Sequence, residues 1–203
     1  GISQIDVRTG DVKSVLLPNL AEKEEYRFNE WAPNGKSFYF VKGQQGPESS
    51  STIYKYDFET RKRKKIHHTP AWATIFLSPN GRWLAFVGRG EPNRELKVIP
   101  ASGGEERVLY RFNQGESGPV FLSWTPDSQY ILFFLENKAK SLEEALCRIP
   151  LTGGDLEELG VLSINAPDHP NIHPNGHQIV FSSTGFSINY PEYWVMENFL
   201  PKK

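Results

Sequence analysis

The sequence predicts an all-β fold built from copies of one four-stranded unit, and three observations carry that prediction. The first is a repeat: "WAPNGKSFYF", "LSPNGRWLAF", "WTPDSQYILF" and "IHPNGHQIVF" begin at positions 31, 77, 124 and 172. Their prolines, Pro33, Pro79, Pro126 and Pro174, are spaced by 46, 47 and 48 residues. A fixed period of that length marks an array in which each unit covers the apolar face of the next. The second is alternation. A phenylalanine falls at the same offset in every copy (Phe40, Phe86, Phe133, Phe181), with Phe38, Leu84, Ile131 and Ile179 two residues earlier. Apolar residues at period two denote a strand. The third is hairpin chemistry at Thr9-Gly10, Gly103-Gly104 and Gly153-Gly154, in register with one another.

Taken in chain order, "ISQIDV" and "KSVLL" flank the Thr9-Gly10 hairpin and read as the third and fourth strands of a unit, so the chain starts in mid-unit. Each complete unit then opens with an inner strand, expected over 28–31, 74–77, 121–124 and 171–173, where apolar and small residues mix. Turns follow at 33–35, 79–81, 126–128 and 174–176. Proline presets φ for the second position of a type I turn, Asn or Asp suits the third, and the next residue turns left-handed. Gly35, Gly81 and Gly176 meet that demand, whereas Ser128 should carry a strain of about 1 kcal/mol. The strand ending in phenylalanine is second and most buried, between neighbouring units, so each Phe→Ala change should cost ~3 to 5 kcal/mol. "IYKYDFETRK", "LKVIPASGGEE" and "CRIPLTGGDLEE" supply a third strand and hairpin before a polar fourth, and "YWVMENF" is a last third strand. Only "KSLEEAL" has a helical period.

Four antiparallel strands per repeat of about 47 residues describe the blade of a β-propeller, whose repeats run ~40 to 50 residues. Residues 1–203 form one such region. The strand count does not close, because the third strand occurs at both ends of the chain. A larger ring or an open arc is therefore expected, with its end faces covered by further blades or by a second copy, and with self-association through open blade edges.

The frame of aromatic or aliphatic, small, Pro, Asn or Asp, Gly, basic, then a strand ending in Phe resembles the WD40-like repeat of TolB-type propellers over nearly the whole chain. "YWVMENFLPKK", and "CRIPLTGGDLEELG" followed by "HPNG", resemble the C-terminal propeller region of bacterial multidomain proteins. Ser128, Leu77 and Ile172 depart from the pattern. The resemblance implies a non-catalytic binding module, recognising a protein or sensing a ligand through an axial face, in the periplasm or another extracytoplasmic space. The alternative of a different class is a carbohydrate-active, lyase-like, metal-dependent propeller, or one associated with a peptidase.

Composition narrows the field further. An apolar fraction of 38% with 13% aromatics suits a folded domain, and a formal charge of −1 disfavours a nucleic-acid partner. One cysteine, Cys147, cannot form an internal disulfide. No stretch of 18 apolar residues suggests a membrane span. No nucleophile elbow, zinc-protease motif, phosphate loop or dinucleotide fingerprint occurs, and no cofactor is implied.

Four features could still carry chemistry. His169, His173 and His177 recur every four residues in "DHPNIHPNGHQ" and could ligate zinc or manganese. The repeat offers a plainer account, because His173 and His177 occupy the turn positions held elsewhere by Ala32 and Lys36, and spacing by four makes no common face on a strand. Arg61, Lys62, Arg63, Lys64 and Lys65 form a basic run, but on an outer strand such residues discourage edge pairing, and alternation divides them between two faces. Asp168 with Glu192 or Glu197 is a candidate carboxylate pair that nothing in the sequence brings together. Trp31, Trp83 and Trp124 lie at or beside the repeated strands and are expected in the core rather than on a sugar platform.

Overall fold

The computed structural model describes residues 1–22, 24–44, 50–70, 72–89, 94–113, 118–136, 144–162, 167–184 and 191–197. Its strands fall into five antiparallel sheets in chain order. β1 (Ile2–Ile5) and β2 (Val12–Leu16) make a two-stranded sheet. Three complete blades follow: β3 (Glu24–Trp31), β4 (Ser37–Gln44), β5 (Ser50–Asp57) and β6 (Lys62–Thr69); β7 (Trp72–Leu77), β8 (Trp83–Arg89), β9 (Glu95–Pro100) and β10 (Arg107–Arg111); β11 (Ser123–Trp124), β12 (Tyr130–Glu136), β13 (Glu144–Pro150) and β14 (Glu157–Leu162). β15 (Asp168–Ile172), β16 (Gln178–Thr184) and β17 (Pro191–Glu197) form the last sheet. Every sheet is a meander, and no described pairing joins the last sheet to the first, so these residues close no ring. The first strands converge, since β3 meets β7, β7 meets β11 and β11 meets β15, which identifies them as the lining of the propeller axis.

The turns form as their chemistry demands. In each, the amide of the left-handed residue donates back to a carbonyl three residues earlier: Gly35 to Ala32, Gly81 to Ser78, Ser128 to Thr125 and Gly176 to His173. Their φ values are 66°, 70°, 61° and 75°. The Asn or Asp side chain accepts the amide two residues on, at 3.0 Å for Asn34, Asn80 and Asp127 and 2.9 Å for Asn175. That local acceptor is the physical reason why only Asn and Asp occupy the position. Ser128 is fully buried, and its Oγ accepts the Asn80 amide of the preceding blade at 3.1 Å, a bond glycine could not make.

Between the sheets lies the core. Phe40, Phe86, Phe133 and Phe181 are at most 2% exposed, and each second strand turns these rings toward the preceding sheet. The residues between them, Tyr39, Ala85 and Leu132, are buried against the following sheet, so β4, β8 and β12 are apolar on both faces. Val180 holds the same position in the last sheet and is 41% exposed, because no described blade follows it. Cys147 packs within the cluster between the third and fourth sheets.

Three expectations need correction. Trp31 is 48% exposed, stacked on Phe58 rather than buried, because β1 and β2 supply only the outer part of a blade against that face. The inner strand of the fourth sheet is reduced to Ser123–Trp124, with Phe121 before it. Finally, Glu144–Leu146, the end of "KSLEEAL", pair in β13 rather than in a helix; the preceding 137–143 lie outside the described residues. The only helical segment described is a 3-10 turn at Leu20–Glu22, and no described helix is long and apolar enough to cross a membrane.

Candidate functional site

Where the first strands converge, they enclose a groove of about 340 Å³, a volume within the ordinary range for ligand pockets. Its walls come from the inner strands of four successive sheets, through Glu30, Phe76, Phe121, Trp124 and His169 among others. Glu30, Phe76, Ser123 and Asn171 each stand three residues before the repeated proline, and all four line the groove. The repeat therefore holds its frame constant while placing a carboxylate, an aromatic ring, a hydroxyl and an amide at one equivalent position around the axis.

Backbone irregularities aim the polar members inward. The β3–β4 register shifts between Phe28 and Glu30, and the β15–β16 register shifts between Asp168 and Asn171. Bulges of this kind redirect side chains and recur beside functional sites. His169 lies within the second shift at φ 53°, a strained conformation for a residue bearing a Cβ. Its ring stacks on Phe121, with centroids 3.5 Å apart and planes 29° apart. Phe121 meets Phe76 edge to face at 6.4 Å, and Trp124 Nε1 donates to the Phe76 carbonyl at 3.0 Å. One wall of the groove is thus a continuous aromatic ladder. Opposing it in character is Glu30, half-buried and without an ion pair among the described residues; burial pushes its carboxyl pKa up from the usual value.

Of the three histidines, only His169 lines the groove. His173 Nδ1 accepts the Asn175 amide at 3.1 Å, and the exposed His177 belongs to the same turn. No group of three or more His, Cys, Asp or Glu able to hold a metal ion occurs among the described residues. The side chains of Asp168, Glu192 and Glu197 lie outside what the structure describes. Lys62, Arg63, Lys64 and Lys65 of the basic run sit on the outermost strand β6 and Arg61 in the turn before it; Arg63 donates to Tyr26 Oη at 3.0 Å and Lys64 donates to the Ser102 carbonyl of the next blade at 2.9 Å. In the following blade Arg107 reaches the corresponding hairpin, bonding the carbonyls of Leu151 and Thr152. Cations of the fourth strand thus serve as ties between blades. Trp83 is half-buried beneath the Arg107 guanidinium, 5.6 Å from its ring.

Sequence reasoning missed Glu30, Phe76 and Phe121. For Glu30 and Phe76 the available signal was the position three residues before each proline, where the copies differ in chemical class; Phe121 stands outside that frame.

The meander sheets, their convergent first strands and the turn frame define a WD40-like β-propeller region. The family described as eukaryotic translation initiation factor eIF2A matches residues 6–141, more than half of the chain, and the chain belongs to that family. No curated protein matches it in sequence. Among solved structures, TolB from Acinetobacter baumannii is similar with a TM-score of 0.72 at 16% identity, over 97% of this chain and 46% of that one. A putative TolB from Agrobacterium tumefaciens gives 0.65 at 19% identity, over 97% and 67%. An oligogalacturonate lyase in complex with manganese gives 0.77 at 14% identity, over 97% and 56%. The chain thus spans about half the length of the first of these propellers, and at such identities the likeness is one of fold.

Proposed function

We propose that the chain is a non-catalytic binding module that recognises a protein partner through its axial groove. The observation that carries this reading is the groove itself: an aromatic wall, one half-buried carboxylate, and two register shifts in the strands that line it. A concave site between the inner strands, with register shifts in two of those strands and a strained residue, His169, in its wall, is the pattern of a recognition site. The kinship with TolB propellers and with a family named for a translation initiation factor fits a chain that works through partners. A metal-dependent, lyase-like role would need several ligands in one place, and the histidines are divided between a groove wall and a turn.

The test is a photo-crosslinking phenylalanine analogue placed at Phe121 in the groove or at Lys62 on the outer strand. Expected is a specific protein adduct from Phe121 and none from Lys62. Adducts formed only from Lys62 would move recognition to the outer rim and overturn the axial reading.

A further inference from the structure

We infer that the groove seats a cationic side chain of the partner, a lysine or arginine whose charge meets the Glu30 carboxylate while its stem lies along the Phe76–Phe121 wall. This rests on the axial reading above and specifies its chemistry. Glu30 and His169 are the titratable residues among the described groove lining, and no lysine or arginine of the described chain lines it. A carboxylate withdrawn from water without a cation is costly, and the described residues offer Glu30 none. Of the four equivalent positions facing the axis, only this one is acidic, so the charge is particular to the site and not a requirement of the repeat.

The aromatic wall supplies the second half of the argument. A cation over a ring face is attracted by the ring quadrupole, and the methylene stem of lysine or arginine packs on the same surface. This fold already uses the arrangement elsewhere: Arg148 lies over Tyr130 at 4.6 Å, and Lys55 over Tyr39 at 5.6 Å. In the groove the ring faces and the carboxylate are present, and the cation is what a partner would bring. An acidic side chain would instead meet Glu30 as a like charge, and a purely apolar one would leave that carboxylate buried and unpaired.

The probes are the blocked tripeptides acetyl-Gly-Arg-Gly-amide, its lysine analogue, and matched leucine and glutamate peptides, titrated into the isotope-labelled chain at neutral pH and followed by amide chemical shifts. Expected are shifts at Glu30, Phe121 and His169 with the arginine and lysine peptides, affinity in the millimolar range, and no saturable binding of the glutamate peptide. Glu30→Gln should weaken the arginine peptide by about tenfold. Phe121→Leu, which keeps the apolar volume but loses the ring face, should weaken it by about threefold. Glu30→Gln replaces a half-buried carboxylate with a neutral isostere, so the variant should fold at least as well as the parent. Equal binding of the leucine peptide in the groove, or indifference to Glu30→Gln, would overturn the cation inference and leave the axial site standing. A groove untouched by every peptide, together with crosslinking only from Lys62, would bring down both.

Discussion

At Ser128 two effects oppose each other within one residue. Its left-handed backbone costs about 1 kcal/mol for a side chain with a Cβ, while its buried Oγ holds the Asn80 amide of the neighbouring blade. Glycine would relieve the strain and lose a partly buried bond, a loss of about 0.5 to 1.5 kcal/mol. Alanine would keep the strain and lose the bond as well. Urea denaturation should therefore rank Ser128→Ala last, about 1 kcal/mol below Ser128→Gly, with the parent within about 1 kcal/mol of the glycine variant because strain and bond nearly cancel. If Ser128→Gly proves the most stable of the three, the inter-blade bond contributes less than the strain. Glu24 makes a second residue-scale case. Its carboxylate pairs with Lys42 and accepts from the Asn19 amide and Tyr26 Oη, which holds its pKa down at about 2. Because the folded value lies below the unfolded one, the stabilisation is complete above pH 5 and disappears as pH falls toward 2. The stability difference between the parent and Glu24→Gln should close over that interval, and a difference independent of pH would show that the carboxylate's charge is not what matters.

At the scale of the strand and its turn, the sequence was legible because the determinants are local. Proline, Asn or Asp, and glycine act within four residues, so the turn positions, the left-handed residue and the buried phenylalanines could be read from one copy and checked in three others. The groove could not be read in that way. Glu30, Phe76, Ser123 and Asn171 stand on four different strands, roughly 47 residues apart, and only the curvature of the array brings them to one axis. Trp31 failed for a related reason. It holds the position of Trp124, but Trp124 gives its Nε1 to the carbonyl of the preceding inner strand, and at Trp31 the described residues place no such strand. Burial here is a property of the neighbour as much as of the residue.

The molecule as a whole presents two unequal ends. One shows Phe28 and Trp31, the other Val180, all more than 40% exposed. Apolar faces that the repeat elsewhere covers favour association, so light scattering should show mass rising with concentration, and Trp31→Lys should suppress it. A species of unchanging monomer mass would show that these faces are tolerated in water. The described contacts between sheets, whether Asn80 to Ser128, Lys64 to Ser102 or Arg107 to Leu151, run only from one blade to the next. The chain is thus a row of dominoes in its thermodynamics: each sheet opens at a free energy set by how many neighbours hold it. Amide hydrogen exchange should accordingly be slowest in β8, β9, β12 and β13 and quicken toward β1–β2 and β15–β17, so the arc melts inward from its ends and keeps its centre longest.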